Sequence, residues 1–225
     1  MKIEGNAVLT LQSRFFMDWN AVAKEKNRKD YAEAYFPIAD KKGNTAMQIV
    51  ASGPDDEDQT IKMGFLKMIS QAKESIYIQT PYFIPDESLH EMLKIAVLSG
   101  VKVKIMIPSK PDHPFVYRAT EYFAKDIVEY GAEVYMYQNG FLHSKVMVVD
   151  DEIVSVGTAN MDVRSFKLNF EINAFIYDRD VAEELIANFD EDQKNCIRAT
   201  HDYFAKQSKW RKFKQAFSRL LSPIL

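Results

Sequence analysis

Between residues 7 and 23, Val8, Leu11, Phe15, Phe16, Trp19 and Val22 recur at the three- and four-residue spacing of one helix face. The polar stretch Lys24 to Asp30 and a lysine-flanked glycine between Asp40 and Asn44 follow, which predicts a linker. From about Thr45 the pattern alternates. An apolar run from Met47 to Ala51, stopped by Ser52-Gly53-Pro54, predicts a strand, and Ile61, Phe65, Met68, Ile69 and Ala72 predict a helix. A strand at Ser75 to Gln79 comes next, then a helix bearing Leu89, Met92, Leu93, Ala96 and Val97. Gly100 closes it as a C-terminal cap before the strand Val101 to Ile107. Gly131 repeats the device after a helix with Val116, Ala119, Phe123 and Ile127, so repeated βα units with a largely parallel start are expected.

Beyond Val134 to Tyr137 the pattern changes to strands without intervening helices: His143 to Val149, Ile153 to Val156 and Asn169 to Tyr177. A helix with Val181, Leu185, Ile186 and Phe189 follows. The expected fold class is α/β, a mixed β-sheet flanked by helices. The expected divisions are a helical arm and linker over 1–43, the α/β domain over 44–204, and a tail over 205–225. In that tail Trp210, Phe213, Phe217, Leu220, Leu221 and Ile224 recur at spacings of three and four among basic residues. Such a helix either lies on an anionic membrane surface or docks on its own domain.

Composition adds two constraints. With 225 residues, 47% of them hydrophobic and 27% charged, the chain has the makings of a folded domain, and no apolar run approaches a membrane span. The opening Met-Lys-Ile-Glu-Gly lacks a signal-peptide layout, and the lone Cys196 allows no intrachain disulfide, so a reducing compartment is expected. Net charge is -3, but residues 206 to 225 carry six bases and no acid, leaving the preceding residues at -9. An acidic body argues against nucleic acid as partner. Asp55 to Asp58 precede a helix and are read as favouring its N-terminus rather than as a metal site.

The chemistry concentrates in Gly140-Phe-Leu-His143-Ser-Lys145-Val-Met-Val-Val-Asp150, then Gly157-Thr158-Ala-Asn160, then Asn169-Phe-Glu171. On a strand His143 and Lys145 would share a face, whereas Asp150, at an odd offset, would point elsewhere in a supporting position. Thr158 and Asn160, two apart, could both offer hydrogen bonds to a phosphate oxygen. Glu171 on the polar face of its strand could orient an imidazole. Tyr82 and Phe83 either wall a headgroup site or pack in the core.

The spacing His143-x-Lys145-x4-Asp150-x6-Gly157-Thr158-x-Asn160 resembles the HKD motif of the phospholipase D superfamily. Thr80-Pro-Tyr-Phe-Ile-Pro-Asp86 and Asn160-Met-Asp-Val-Arg164-Ser-Phe-Lys-Leu-Asn-Phe-Glu171 are similar to bacterial cardiolipin synthases within it. Val8 to Asn20 resembles the stretch those enzymes carry after their first HKD motif, so the chain looks like a C-terminal half. The resemblance implies a phospholipase D-like domain, with His143, Lys145, Asp150 and Glu171 as catalytic residues. Thr158, Asn160, Tyr82 and Arg164 would be substrate-binding. It further implies a phosphohistidine intermediate and cardiolipin made from two phosphatidylglycerols with release of glycerol. No metal or cofactor is implied.

His90, His113 and His201 have no lysine two residues on, so only one half-site is present. A second would come from a missing N-terminal half or from another copy. His143 could then be nucleophile or general acid. The expected location is the cytoplasmic face of the cell membrane, with this chain peripheral. A single-motif homodimeric phosphodiesterase or nuclease and a catalytically silent lipid-binding half-domain are the competing readings.

Overall fold

The structure is a computed structural model describing residues 1–38, 40 and 42–224, the last by its backbone. Lys41 of the expected linker and the side chain of Ile224 lie outside the described residues. The chain runs α1 (Ala7–Val22), β1 (Ala46–Ser52), α2 (Thr60–Gln71), β2 (Ser75–Gln79), β3 (Phe83–Ile84) and α3 (Glu87–Leu98). It continues with β4 (Lys102–Pro108), α4 (Pro114–Glu129), β5 (Glu133–Tyr137), β6 (Val146–Val149), β7 (Ile153–Gly157) and β8 (Met161–Asp162). Then come α5 (Val163–Lys167), β9 (Glu171–Tyr177), α6 (Arg179–Gln193), β10 (Cys196–Arg198), α7 (His201–Ala205) and α8 (Lys209–Leu220).

Eight strands form one sheet in the order β1-β9-β7-β6-β2-β4-β5-β10, and β3 pairs with β8 in a small parallel sheet. Only β2, β4 and β5 run parallel within the large sheet. The expected parallel start therefore begins at β2, because β1 lies at the far edge, antiparallel to β9. The edge strand β10 and the short α7 were not anticipated, since segments this brief carry no periodicity.

Period-two alternation explains how the sheet buries both faces. Ile76 and Ile78 of β2 and Met147 and Val149 of β6 enter the main core under α2, α3 and α4. Val148 and Val154, with Ala174 and Ile176 of β9, form a second core against α6. Gly64 brings α2 close to the sheet, for a Cβ there would overlap the Phe175 ring. Gly100 and Gly131 have φ of +91° and +112° and close α3 and α4 with paired backbone bonds of the Schellman type.

The helical arm departs from expectation. Of its apolar face only Phe16 is buried, enclosed by Tyr31, Tyr35 and Phe36 at ring-centroid distances of 5.2–5.4 Å, while Phe15, Trp19 and Val22 are exposed. The expected linker thus folds back on the arm through 3-10 turns at Glu25–Asn27 and Glu33–Tyr35. The acidic run before α2 is local scaffolding. Asp56 accepts the Thr60 N–H (2.8 Å) and the Ser52 hydroxyl (2.9 Å), which holds its carboxyl below the usual range.

Candidate active site

Sheet register gathers all the motif residues but Asp150 at one end of the strands. Gln79, where β2 ends, pairs with Val146, where β6 begins, and Val146 pairs with Val156 near the end of β7. Gly157 faces Asn173, and Glu171 at the start of β9 faces Ser52 at the end of β1. The loops that leave this end carry His143, Lys145, Thr158, Asn160, Asn169 and, after β2, Tyr82.

The expected strand from His143 is corrected here, because residues 141–145 have no regular structure and β6 begins at Val146. Strand parity therefore does not pair the two side chains. The Lys145 ammonium instead donates to the His143 carbonyl (3.0 Å), and the exposed imidazole lies beside Phe141, with ring centroids 5.9 Å apart. Lys145 is part-buried. Burial pulls its pKa below the usual lysine value, opposed by the charges of Glu171 and Asp162. A partly desolvated cation is suited to an anionic oxygen, because its field is less screened there.

Asp150 stands at the other end of β6, about 13 Å along the strand from Val146 at ~3.3 Å per residue. Its carboxylate accepts the backbone N–H groups of Lys73 (2.7 Å), Glu74 (2.8 Å) and Ser75 (2.9 Å). Although the motif groups it with the catalytic residues, its position is that of a clamp on the start of β2. Its φ of +52° is in the left-handed region that Asp and Asn tolerate.

Thr158 and Asn160 both have roles within the fold. The Thr158 hydroxyl accepts the Ile172 N–H (2.9 Å), so it is occupied in pinning β9. The backbone N–H of Asn160 donates to the Ser165 hydroxyl (3.1 Å), and its buried side-chain Oδ1 has no partner among the described residues. Beneath them Asn173 accepts the Ala159 N–H (3.1 Å) and donates to Ser155 (2.9 Å), which fixes the loop after β7. Glu171 accepts from Asn169 (3.1 Å), and among the described residues the His143 ring makes no hydrogen bond with it. Arg164 projects from α5 as an exposed side chain, without an ion pair among the described residues.

Tyr82 and Phe83 part ways. Phe83 is fully buried and pairs through β3 with Met161, whereas Tyr82 is part-buried and donates its hydroxyl to Asp112. Burial first, then the Asp112 carboxylate, raises the Tyr82 phenol above its usual range, and Asp162 adds to the rise.

Asp162 is the residue the motif reading passed over. It is 4% exposed, caps α5 by accepting the Ser165 N–H (2.7 Å), and has its pKa raised by burial and by the Glu171 charge. The signal was present, because an Asp followed three residues later by Ser at a helix start reads as an N-cap. What was hidden is that the charge of this cap acts on Lys145.

Comparison with known proteins agrees with this arrangement. Residues 65–193 match the family model described as cardiolipin synthase, PLD-like domain. The chain is similar over all 225 residues to the cardiolipin synthase of Listeria welshimeri (56% identical) and the major cardiolipin synthase ClsA of Bacillus subtilis (54%). It spans about 46% of the length of each of these relatives. Among solved structures, the fold is similar to Nuc from Salmonella typhimurium, a phospholipase D family member. That match has TM-score 0.60 and 21% identity, covering 70% of this chain and 99% of that one. It is also similar to the phosphatidylserine synthase of Haemophilus influenzae Rd KW20 at TM-score 0.69 and 16% identity, covering 98% of this chain and 62% of that one. The family match and the mixed sheet agree: the chain belongs to the phospholipase D-like domain family of cardiolipin synthases.

Proposed function

We propose that this chain supplies one half, the C-terminal one, of a phosphatidyltransferase site that makes cardiolipin from two phosphatidylglycerols and releases glycerol. The observation that carries this reading is the 56% identity to a cardiolipin synthase in a match that covers all 225 residues. A histidine Nε2 attacks phosphorus and breaks the P–O bond to glycerol, while a second histidine protonates the departing oxygen. The headgroup hydroxyl of the second phosphatidylglycerol then attacks, giving its proton to that second histidine, and the P–N bond breaks.

His143 takes one of these two roles. Lys145 faces the phosphoryl oxygens, and Glu171 orients the imidazole when substrate draws it inward. The second histidine comes from the remainder of a longer enzyme, or from another copy of this chain. The enzyme works on an anionic membrane surface, at its cytoplasmic face. Among the described residues no helix is long and apolar enough to cross a membrane.

The test places this chain in the Bacillus subtilis enzyme in exchange for the matching segment and supplies phosphatidylglycerol vesicles. Cardiolipin and glycerol are expected in equal amounts, with a loss of about a thousandfold or more on His143→Ala. A chimera that binds vesicles but forms neither product, or a His143→Ala variant of undiminished rate, sinks the reading. Product from the isolated chain, together with a dimeric mass, would assign the second histidine to another copy.

A further inference from the structure

The tail helix α8 docks with the opposite polarity to an ordinary amphipathic helix. Arg211, Gln215, Ser218 and Ser222 recur at spacings of four and three and form the stripe that faces the protein, with Gln215 and Ser218 at 2% and 1% exposure. Arg211 pairs with Glu121 of α4, a carboxylate with no exposure, and Gln215 donates to the same group at 3.2 Å. The other stripe holds Trp210, Phe213, Phe217 and Leu220, which are 64%, 59%, 47% and 73% exposed. A helix held by buried polar bonds while four large apolar side chains face outward cannot owe its place to the hydrophobic effect within this domain.

We propose that α8 is a membrane-anchoring helix whose apolar stripe lies in the interfacial layer of an anionic bilayer while its polar stripe fixes it to α4. Charge selects this occupant. Six bases and no acid lie between residues 206 and 225, and Lys206, Lys209, Lys214 and Arg219 are exposed. Lys214 sits 5.2 Å from the Trp210 ring centroid, and Trp210 stacks on Phe213 at 5.5 Å, so base and aromatic are interleaved as an interface of headgroups and acyl chains requires. Between Trp210 and Leu220 the stripe is about 15 Å long, enough to lie in the interface and too short to span it.

The anchor also bears on the site. Beyond α8 the 3-10 turn Ser222–Ile224 packs on α5, the helix that Asp162 caps. The inference concerns binding rather than turnover and stands apart from the transferase reading.

The test uses the full chain on a Trp19→Phe background, so that Trp210 is the sole indole, with vesicles of phosphatidylglycerol and phosphatidylcholine or of phosphatidylcholine alone. Trp210 emission is expected to shift to the blue on the anionic vesicles and to be quenched by bromine on the acyl chains. Replacing both Phe213 and Phe217 by Ser is expected to weaken vesicle binding about tenfold or more. It should leave the helix content and Tm unchanged, because neither ring is buried. His143→Ala should bind as the parent does. Unshifted Trp210 emission on anionic vesicles, or undiminished binding by the double variant, overturns the proposal. So does a blue shift that arises without lipid as the protein self-associates, which would make a second copy the occupant.

Discussion

Among single residues, Asp150 and Asp162 show how differently two carboxylates of one motif region are used. Three backbone N–H groups converge on Asp150, so Asp150→Ala removes three charge-assisted bonds and leaves Ala in the left-handed region. We expect a loss of about 2–3 kcal/mol in urea unfolding. Asp150→Asn, which tolerates that backbone and keeps one acceptor, should lose less. Equal losses would show that the clamp does not depend on the residue's backbone preference.

Asp162 is buried and carries a charge-sensitive proton. Its folded pKa is raised above 3.8 by burial and by the Glu171 charge. Between 3.8 and that higher value the native state holds a proton the unfolded chain has released, so stability falls as pH rises through the window. Asp162→Asn retains a cap for α5 without titrating. The variant should therefore gain stability relative to the parent as pH rises from below 3.8 to neutrality, measured by urea midpoints at the two ends. An unchanged difference across that range would remove the coupling of Asp162 to Glu171.

At the level of elements, the site depends on how closely β7 and β9 approach. A Cβ on Gly157 would overlap both the Asn173 Oδ1 and the Ile172 carbonyl, the groups that hold the loop carrying Thr158 and Asn160. Gly157→Ala should cost about 1–3 kcal/mol by thermal or urea unfolding and displace that loop. A variant of unchanged stability would mean that the strands separate easily. The same elements show where periodicity suffices. The helices α2, α3, α4 and α6 and most strands were legible, because each buries a face against the sheet and writes that face into its sequence. The start of β6 was not, since His143 to Lys145 run without a break into the apolar Val146 to Val149, while the chain before Val146 lies outside the ladder. The brief β3, β8 and β10 exist only through their partners.

For the whole molecule, the deciding feature is that one surface buries charge and exposes aromatics. Glu121 is enclosed by Arg118, Arg211 and Gln215 at the contact of α4 with α8. Glu121→Ala would leave two guanidinium groups without their carboxylate. We expect a loss of about 2–3 kcal/mol, tempered by the partial exposure of both arginines, together with faster amide exchange throughout α8. Protection of α8 unchanged by this variant would mean that other contacts hold it.

By itself the sequence determined the mixed α/β class, the HKD segment and its resemblance to cardiolipin synthases, because these reside in local periodicity and in residue spacing along the chain. Only the tertiary structure decided that Lys145 bonds the His143 carbonyl and feels the charges of Glu171 and Asp162, that Asp150 lies at the far end of its strand, and that α8 turns its aromatic stripe outward. Those facts depend on which strands become neighbours, in what register, and on a buried carboxylate 90 residues away from the arginine it holds. No local pattern along the chain encodes such a pairing.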